Sequence, residues 1–376
     1  MTNVKSWIEV SEERLRGNFA VLRETAGAGT QVMAVVKANA YGHGLEGCAV
    51  ALAGAGAVWF GVADVREGVR ARQALTEAGF EVAEILVMCG SMPADVAAVV
   101  EHRLTPVVWT PEQVAALRGC AGLRVHVGID TGMGREGARP GAELEALLDA
   151  IAAVGVVPDG VMTHFCAAEV VGSEKTREQK TGFERVIAQM QALGLRPGWV
   201  HAGSSSSVDD PTWDAEWLLG LARRLGAQAM VRCGIALYGY ANPLEGGVSR
   251  VRPRLGPAME WKTRVLDVRE MRTGDSVGYN GTFTATQPMR LALLPVGYAD
   301  GLRRSLWPGG WAMVRGQRAA IVGRVSMNLA MVDVSAIEGV QVGDEVVLLG
   351  DGVTADDHAR LAGTISYEIL CGVRAG

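Results

Sequence analysis

The chain has 376 residues, is 49% hydrophobic and carries a formal net charge of −5. Its arginines are scattered, without a basic run or an aromatic-interleaved stripe, which argues against a nucleic-acid binder. Six cysteines lie far apart with no Cys-x-x-Cys pair, and six histidines include no His-x-x-x-His, so neither a disulfide frame nor a metal site is expected.

In chain order, the stretch Met1 to Val10 lacks a basic start followed by an apolar run. No signal peptide is expected, and with reduced cysteines this points to the cytoplasm. The apolar run Val32–Val36 reads as a strand covered on both faces, and it ends at Lys37. Only five lysines stand against 31 arginines. Lys37 is either a side chain snorkelling off a strand end or a partly desolvated amine able to form a Schiff base. The uncharged segment Gly47 to Ala63 is short for a membrane span and broken by Gly54 and Gly56. It reads as a buried helix, a turn and a strand.

Further strands are expected at Val58–Ala63, Glu84–Met88, Thr105–Trp109, Leu123–Ile129, Gly160–Phe165, Trp199–Ala202 and Ala229–Arg232. Amphipathic stretches separate most of them: Arg66–Ala78, Ala94–His102, Pro111–Arg118, Ala142–Val154, Thr176–Leu193 and Ala215–Leu225. Thr110 suits an N-cap and Pro111 a first helical turn. Eight strands alternating with helices imply an α/β fold with a TIM-type (β/α)8 barrel. After about Tyr240 helical periodicity fades. Turn signals such as Asn280-Gly281 and Gly350-Asp351-Gly352 then separate short strands, including Arg318–Val325, Met331–Val334 and Glu345–Leu349. The expected domains are therefore a barrel over 1–245 and a C-terminal all-β domain over 246–376, with the first ~10 residues as candidates to join the β domain. A dinucleotide fingerprint and a P-loop are both missing.

The segment Val36-Lys37-Ala38-Asn39-Ala40-Tyr41-Gly42-His43-Gly44 closely resembles the cofactor-lysine motif of alanine racemases. The resemblance continues through Ile129-Asp130-Thr131-Gly132-Met133-Gly134-Arg135, Thr163-His164-Phe165, Val231 to Gly239, Val277-Gly278-Tyr279, Pro295 to Gly301, Gly323 to Met327 and Thr364 to Glu368. It implies a pyridoxal 5'-phosphate (PLP) enzyme built from a barrel and a β domain, working as a homodimer on a small amino acid. By that resemblance Lys37 carries PLP and serves as one base. Tyr279, from the neighbouring subunit, is the second base on the opposite face. Arg232 faces the pyridine nitrogen, and together with His164 it supports Tyr279. Tyr41, Ser205, the amides of Gly234 and Ile235, and Tyr367 hold the phosphate. Arg135 meets the substrate carboxylate or the cofactor phenolate, the Met327 amide is a carboxylate partner from the other subunit, and His201 buttresses the pocket.

The chain departs from the family at several positions. Many members carry a carbamylated lysine where this sequence has Gly128, so a bound anion such as chloride, or water, is expected to take its place. Asn328 stands where aspartate is common, which opens the alternative of a racemase for serine or another small amino acid. A PLP-dependent decarboxylase of similar architecture is a further alternative, though such enzymes typically present an acidic group where this chain has Arg232. A non-catalytic PLP carrier would need only the barrel.

Overall fold

The computed structural model describes residues 4–375; the first three residues of the N-terminal stretch, and Gly376, lie outside it. The described chain divides into two compact units. One comprises Glu12–Ala40 and Gly44–Gly256; the other comprises residues 4–11, Tyr41–His43 and residues 257–375.

The chain begins with strand β1 (Ser6–Val10), which belongs to the second unit. The first unit is a closed barrel of eight parallel strands: β2 (Thr30–Val35), β3 (Trp59–Val62), β4 (Glu84–Val87), β5 (Thr105–Val108), β6 (Arg124–Ile129), β7 (Val157–Thr163), β8 (Trp199–His201) and β9 (Gln228–Cys233). Strand β2 pairs with both β3 and β9, which closes the ring. All eight expected strands are present, with ends shifted by up to three residues.

The outer helices bury apolar residues at helical spacing. In Ala142–Val154 the inward face is Leu144, Leu147, Leu148 and Ile151; in Ala215–Leu225 it is Leu218, Leu221, Ala222 and Leu225. Thr110 caps its helix as expected: its hydroxyl accepts from Gln113 N, while Gln113 Oε1 accepts from Thr110 N. The longest described helix, Glu174–Ala192, has an apolar face and a charged one, and among the described residues no helix is long and apolar enough to cross a membrane.

Inside the barrel, Trp59, His126 and Trp199 pack ring against ring, with centroids 5.3 Å apart for Trp59–His126 and 5.4 Å for Trp59–Trp199. Gly160 makes room for this layer. A Cβ at that position would lie 2.5 Å from the His126 ring.

The second unit contains antiparallel sheets. One has the spatial order β1, Met259–Arg264, Glu345–Leu349, Trp311–Val314, Gln317–Ala320. Another is formed by Asp267–Met271, Met289–Leu294 and Ala330–Asp333. Glu345–Leu349 matches the expected strand, and the stretch expected as Arg318–Val325 is extended only over Gln317–Ala320 before it turns. Two short helices, Ala355–Ala362 and Ser366–Gly372, follow the sheets; the first is capped by Thr354, whose hydroxyl accepts from Asp357 N.

Candidate active site

Lys37 follows a fully buried run: Val32, Met33, Ala34, Val35 and Val36 are each at most 3% exposed. The backbone then does something the sequence does not announce. Ala38, Asn39, Ala40 and Tyr41 all adopt φ between 53° and 54°, a left-handed helical turn. For L-residues this conformation costs about 1–2 kcal/mol each. The compensating contacts are both local and long-range. Ala40 N donates to Val36 O at 2.8 Å, and Asn39 N donates to Glu67 Oε1 at 2.8 Å. Asn39 Oδ1 accepts from Leu45 N and from Arg70 Nη2, both at 3.1 Å. Glu67 is itself held, because its Oε2 accepts from Ala63 N at 3.0 Å.

The strand ends deliver Lys37, Arg135, His164 and Arg232 to one cavity of about 400 Å³. Met88, Cys89, Trp109, Glu136 and Met162 complete its lining. These walls are the C-terminal ends of barrel strands and the loops after them, the usual place for barrel chemistry.

Arg232 is 3% exposed and held on several sides. Its Nη2 donates to Thr163 O at 2.8 Å and to His164 Nδ1 at 3.1 Å; its Nη1 approaches His201 Nδ1 at 3.4 Å. A guanidinium can only donate, so both histidines must accept through Nδ1. His201 therefore carries its proton on Nε2 and passes a hydrogen bond to His126 Nδ1, 2.9 Å away. That leaves His126 Nε2–H inside the barrel, where it has no hydrogen-bond partner among the described residues.

The charges agree with this tautomer chain. Burial pushes His126 down to about 3, and the charges of Arg124 and Arg232 push the same way. His164 is also held at about 3, first by burial and then by Arg232, Arg135 and Lys37. His201 lies well below the ordinary histidine range, chiefly through burial. Burial lowers Arg232 to about 10, which leaves it charged at neutral pH. Two neutral imidazoles thus flank one fixed cation, with a third behind His201.

Ser205 starts the short helix Ser205–Asp209, and its hydroxyl accepts from Gly234 N at 3.0 Å and Ala236 N at 3.4 Å. Gly234 precedes the 3₁₀ turn Ile235–Tyr238, so Ser205, Gly234 and Ile235 cluster at neighbouring strand ends.

The remaining expected residues belong to the second unit. Tyr41 and Tyr367 meet there with ring centroids 5.8 Å apart. Tyr279 is 61% exposed and Met327 is 55% exposed, with Arg304 stacked 6.0 Å above the Tyr279 ring. Residues not singled out from the sequence include Trp109, Met88, Cys89 and Met162 on the cavity wall, His126 behind His201, and Glu136. Glu136 had a signal: it is a carboxylate directly beside the motif arginine.

The donor set fits PLP. The cavity gathers three cationic side chains, Lys37, Arg135 and Arg232, against the single carboxylate of Glu136, and its other walls are flat or apolar. Such a lining suits a planar, anionic ring, and the volume lies in the range of small-molecule sites.

Comparison with known proteins agrees. Residues 10–242 match the model of the alanine racemase N-terminal domain, and residues 258–376 match that of the C-terminal domain. The alanine racemase of Symbiobacterium thermophilum is 38% identical over an alignment covering 98% of this chain and 94% of that protein. The structure of the alanine racemase of Clostridium difficile 630 superposes with a TM-score of 0.87 at 27% identity, covering 99% of this chain and 94% of that one. The alanine racemase of Bartonella henselae, solved with covalently bound pyridoxal phosphate, superposes with a TM-score of 0.82 at 25% identity, covering 98% and 97%. The chain belongs to the alanine racemase family.

Proposed function

We propose that this protein is a PLP-dependent alanine racemase that interconverts L- and D-alanine with two bases. The observation that carries the reading is the single cavity shared by Lys37, Arg135, His164 and Arg232, in a chain whose whole length follows the family.

When bound, PLP withdraws the electron pair left as the substrate α-proton departs, which makes that proton removable. Lys37 would hold the cofactor through Nζ. Its Nζ then takes the α-proton on one face. Tyr279 of the partner subunit delivers a proton from Oη on the other face, so the centre is inverted; the reverse direction exchanges the two roles. Protein groups placed on both faces are what racemisation needs.

Arg232 is suited to the pyridine nitrogen. Its three contacts engage both Nη2 hydrogens and one on Nη1, so Nε–H and the second Nη1–H remain to be directed at the ring. As a guanidinium that stays charged at neutral pH, it would donate to the ring nitrogen while keeping its own proton. Ser205, the amides of Gly234 and Ile235, Tyr41 and Tyr367 are assigned to the phosphate, with His201 fixing Arg232 from behind. Arg135 is assigned to the substrate carboxylate, with the Met327 amide of the partner subunit as its companion. The homodimer follows from these assignments, since Tyr279 and Met327 serve the partner's site. On the same reading, residues 1–245 form the cofactor domain and 246–376 supply the β domain, with the first ~10 residues joining the latter, and the enzyme works in the cytoplasm.

The test is α-proton exchange in deuterium oxide with L- and D-alanine, followed by chiral analysis, on wild type and Tyr279→Phe. Wild type is expected to exchange with inversion, and the variant to lose inversion while still binding cofactor. Bound cofactor without alanine exchange in the wild type would turn the reading toward serine or another small amino acid.

A further inference from the structure

At Gly128 the barrel wall is close: a Cβ there would lie 3.2 Å from Val107 Cγ1 and 3.8 Å from Gly137 Cα and Trp109 Cβ. Two residues on, Asp130 Oδ1 accepts from the amides of Gly132 and Met133, both at 2.9 Å, and from Gly134 at 3.1 Å. The turn reverses the chain. Ala138 N donates to Gly128 O at 2.9 Å, and Asp130 N donates to Ala138 O at 3.0 Å. Gly137 permits this return, since its φ is +113° and a Cβ would lie 2.4 Å from Asp130 N.

Arg135 and Glu136 lie within this reversal, and their side chains pair. One Glu136 oxygen accepts from Arg135 Nε, and the other accepts from Nη2 at 2.6 Å. Both side chains line the cavity with Lys37, His164 and Arg232. The chain thus supplies a carboxylate of its own to Arg135.

On the racemase reading above, we propose that Glu136 is a positioning residue: it fixes one edge of the Arg135 guanidinium so that the other edge meets the carboxylate of the amino-acid substrate. An arginine offers five N–H donors in a rigid fork. Glu136 occupies the Nε–Nη2 edge, and Nη1 with the second Nη2 hydrogen forms a separate fork for a second carboxylate. Holding the long side chain before substrate arrives removes an ordering cost from the binding step. Glu136 also tempers the cationic crowding, because Arg135 disfavours the charged form of Arg232 and Glu136 favours it. An opposing effect exists: Glu136 repels the incoming carboxylate. The two effects have opposite signs in a binding experiment.

The test is calorimetric titration of the PLP-loaded enzyme with propionate, which carries the substrate's carboxylate without its amine. Cofactor absorbance and circular dichroism serve as controls for intact folding. Glu136→Gln is expected to weaken propionate by about tenfold, the scale of a charge-assisted fork. It should raise KM for alanine in parallel while kcat moves less than about threefold, as when ground-state and transition-state binding are lost together. Glu136→Asp should keep part of the affinity, and added formate should restore propionate binding to Glu136→Ala. Unchanged or tighter propionate binding in Glu136→Gln and Glu136→Asp would overturn the proposal, because repulsion rather than positioning would then dominate. A wild type that binds propionate but racemises no alanine would sink the choice of alanine as substrate and leave this binding comparison standing.

Discussion

The two units treat their candidate functional residues in opposite ways. In the barrel unit, Arg232 is 3% exposed, His201 is fully buried, and each is held by neighbours from other strands. In the C-terminal unit, Tyr279 and Met327 are 61% and 55% exposed, in the company of exposed Tyr298, Leu329 and Ile365. The barrel residues acquire charge state and orientation from the fold of one chain. The exposed pair needs a further surface to acquire either, and a second copy of this chain is the surface proposed above.

The sharpest way to break that contrast is to separate the two bases. Lys37→Ala and Tyr279→Phe should each lower racemisation by about 10²–10⁴-fold, the range for losing a positioned base. If the sites are shared, mixing the two inactive variants under conditions that exchange subunits should restore activity that neither has alone. Failure of the mixture to recover would assign both bases to one chain.

The next effect is on stability against pH. His126 and His164 sit at about 3, His201 well below the ordinary value, and His358 of the C-terminal unit at about 4, each chiefly through burial. Unfolding releases them to about 6.5, so between that value and their folded values the unfolded chain binds more protons. Their contribution is fully present above pH 6.5 and is lost as pH falls. At pH 5 unfolding should take up roughly four protons through histidines, about 1.4 kcal/mol per pH unit for each. The pH dependence of Tm measures the uptake. His358→Gln should lower it by about one proton and leave the larger barrel share. Loss of nearly the whole uptake in His358→Gln would mean that the barrel imidazoles are charged in the folded chain.

The smallest expected effect concerns packing. Gly160→Ala sets a methyl 2.5 Å from the His126 ring, and overpacking of this kind costs about 1–3 kcal/mol. Denaturant unfolding would show it, and a loss near zero would mean that the Trp59–His126 layer can shift.

Much of the fold was legible because buried parallel strands require unbroken apolar runs. Val32–Val36 and Glu84–Met88 say so directly, and β2 and β4 occupy nearly those residues. Thr110 and Pro111 were readable for an equally local reason, since capping involves residues three apart. The helices Ala355–Ala362 and Ser366–Gly372 were harder to see, being one or two turns long among turn signals. The left-handed turn after Lys37 was hidden because Ala-Asn-Ala-Tyr suits a right-handed helix at least as well. Contacts to Glu67 and Arg70, 28 and 31 residues from Asn39, help to hold the strained form.

The amino-acid sequence by itself determined the barrel, the β-rich C-terminal part and the lysine at a strand end, because periodicity and capping act over a few residues. The tertiary structure alone decided the tautomer chain from Arg232 through His201 to His126, whose last link joins residues 75 apart. It also decided that the carboxylate beside Arg135 is Glu136. Adjacent residues in a strand point apart, and only the reversal at Asp130 and Gly137 turns this pair onto the same cavity.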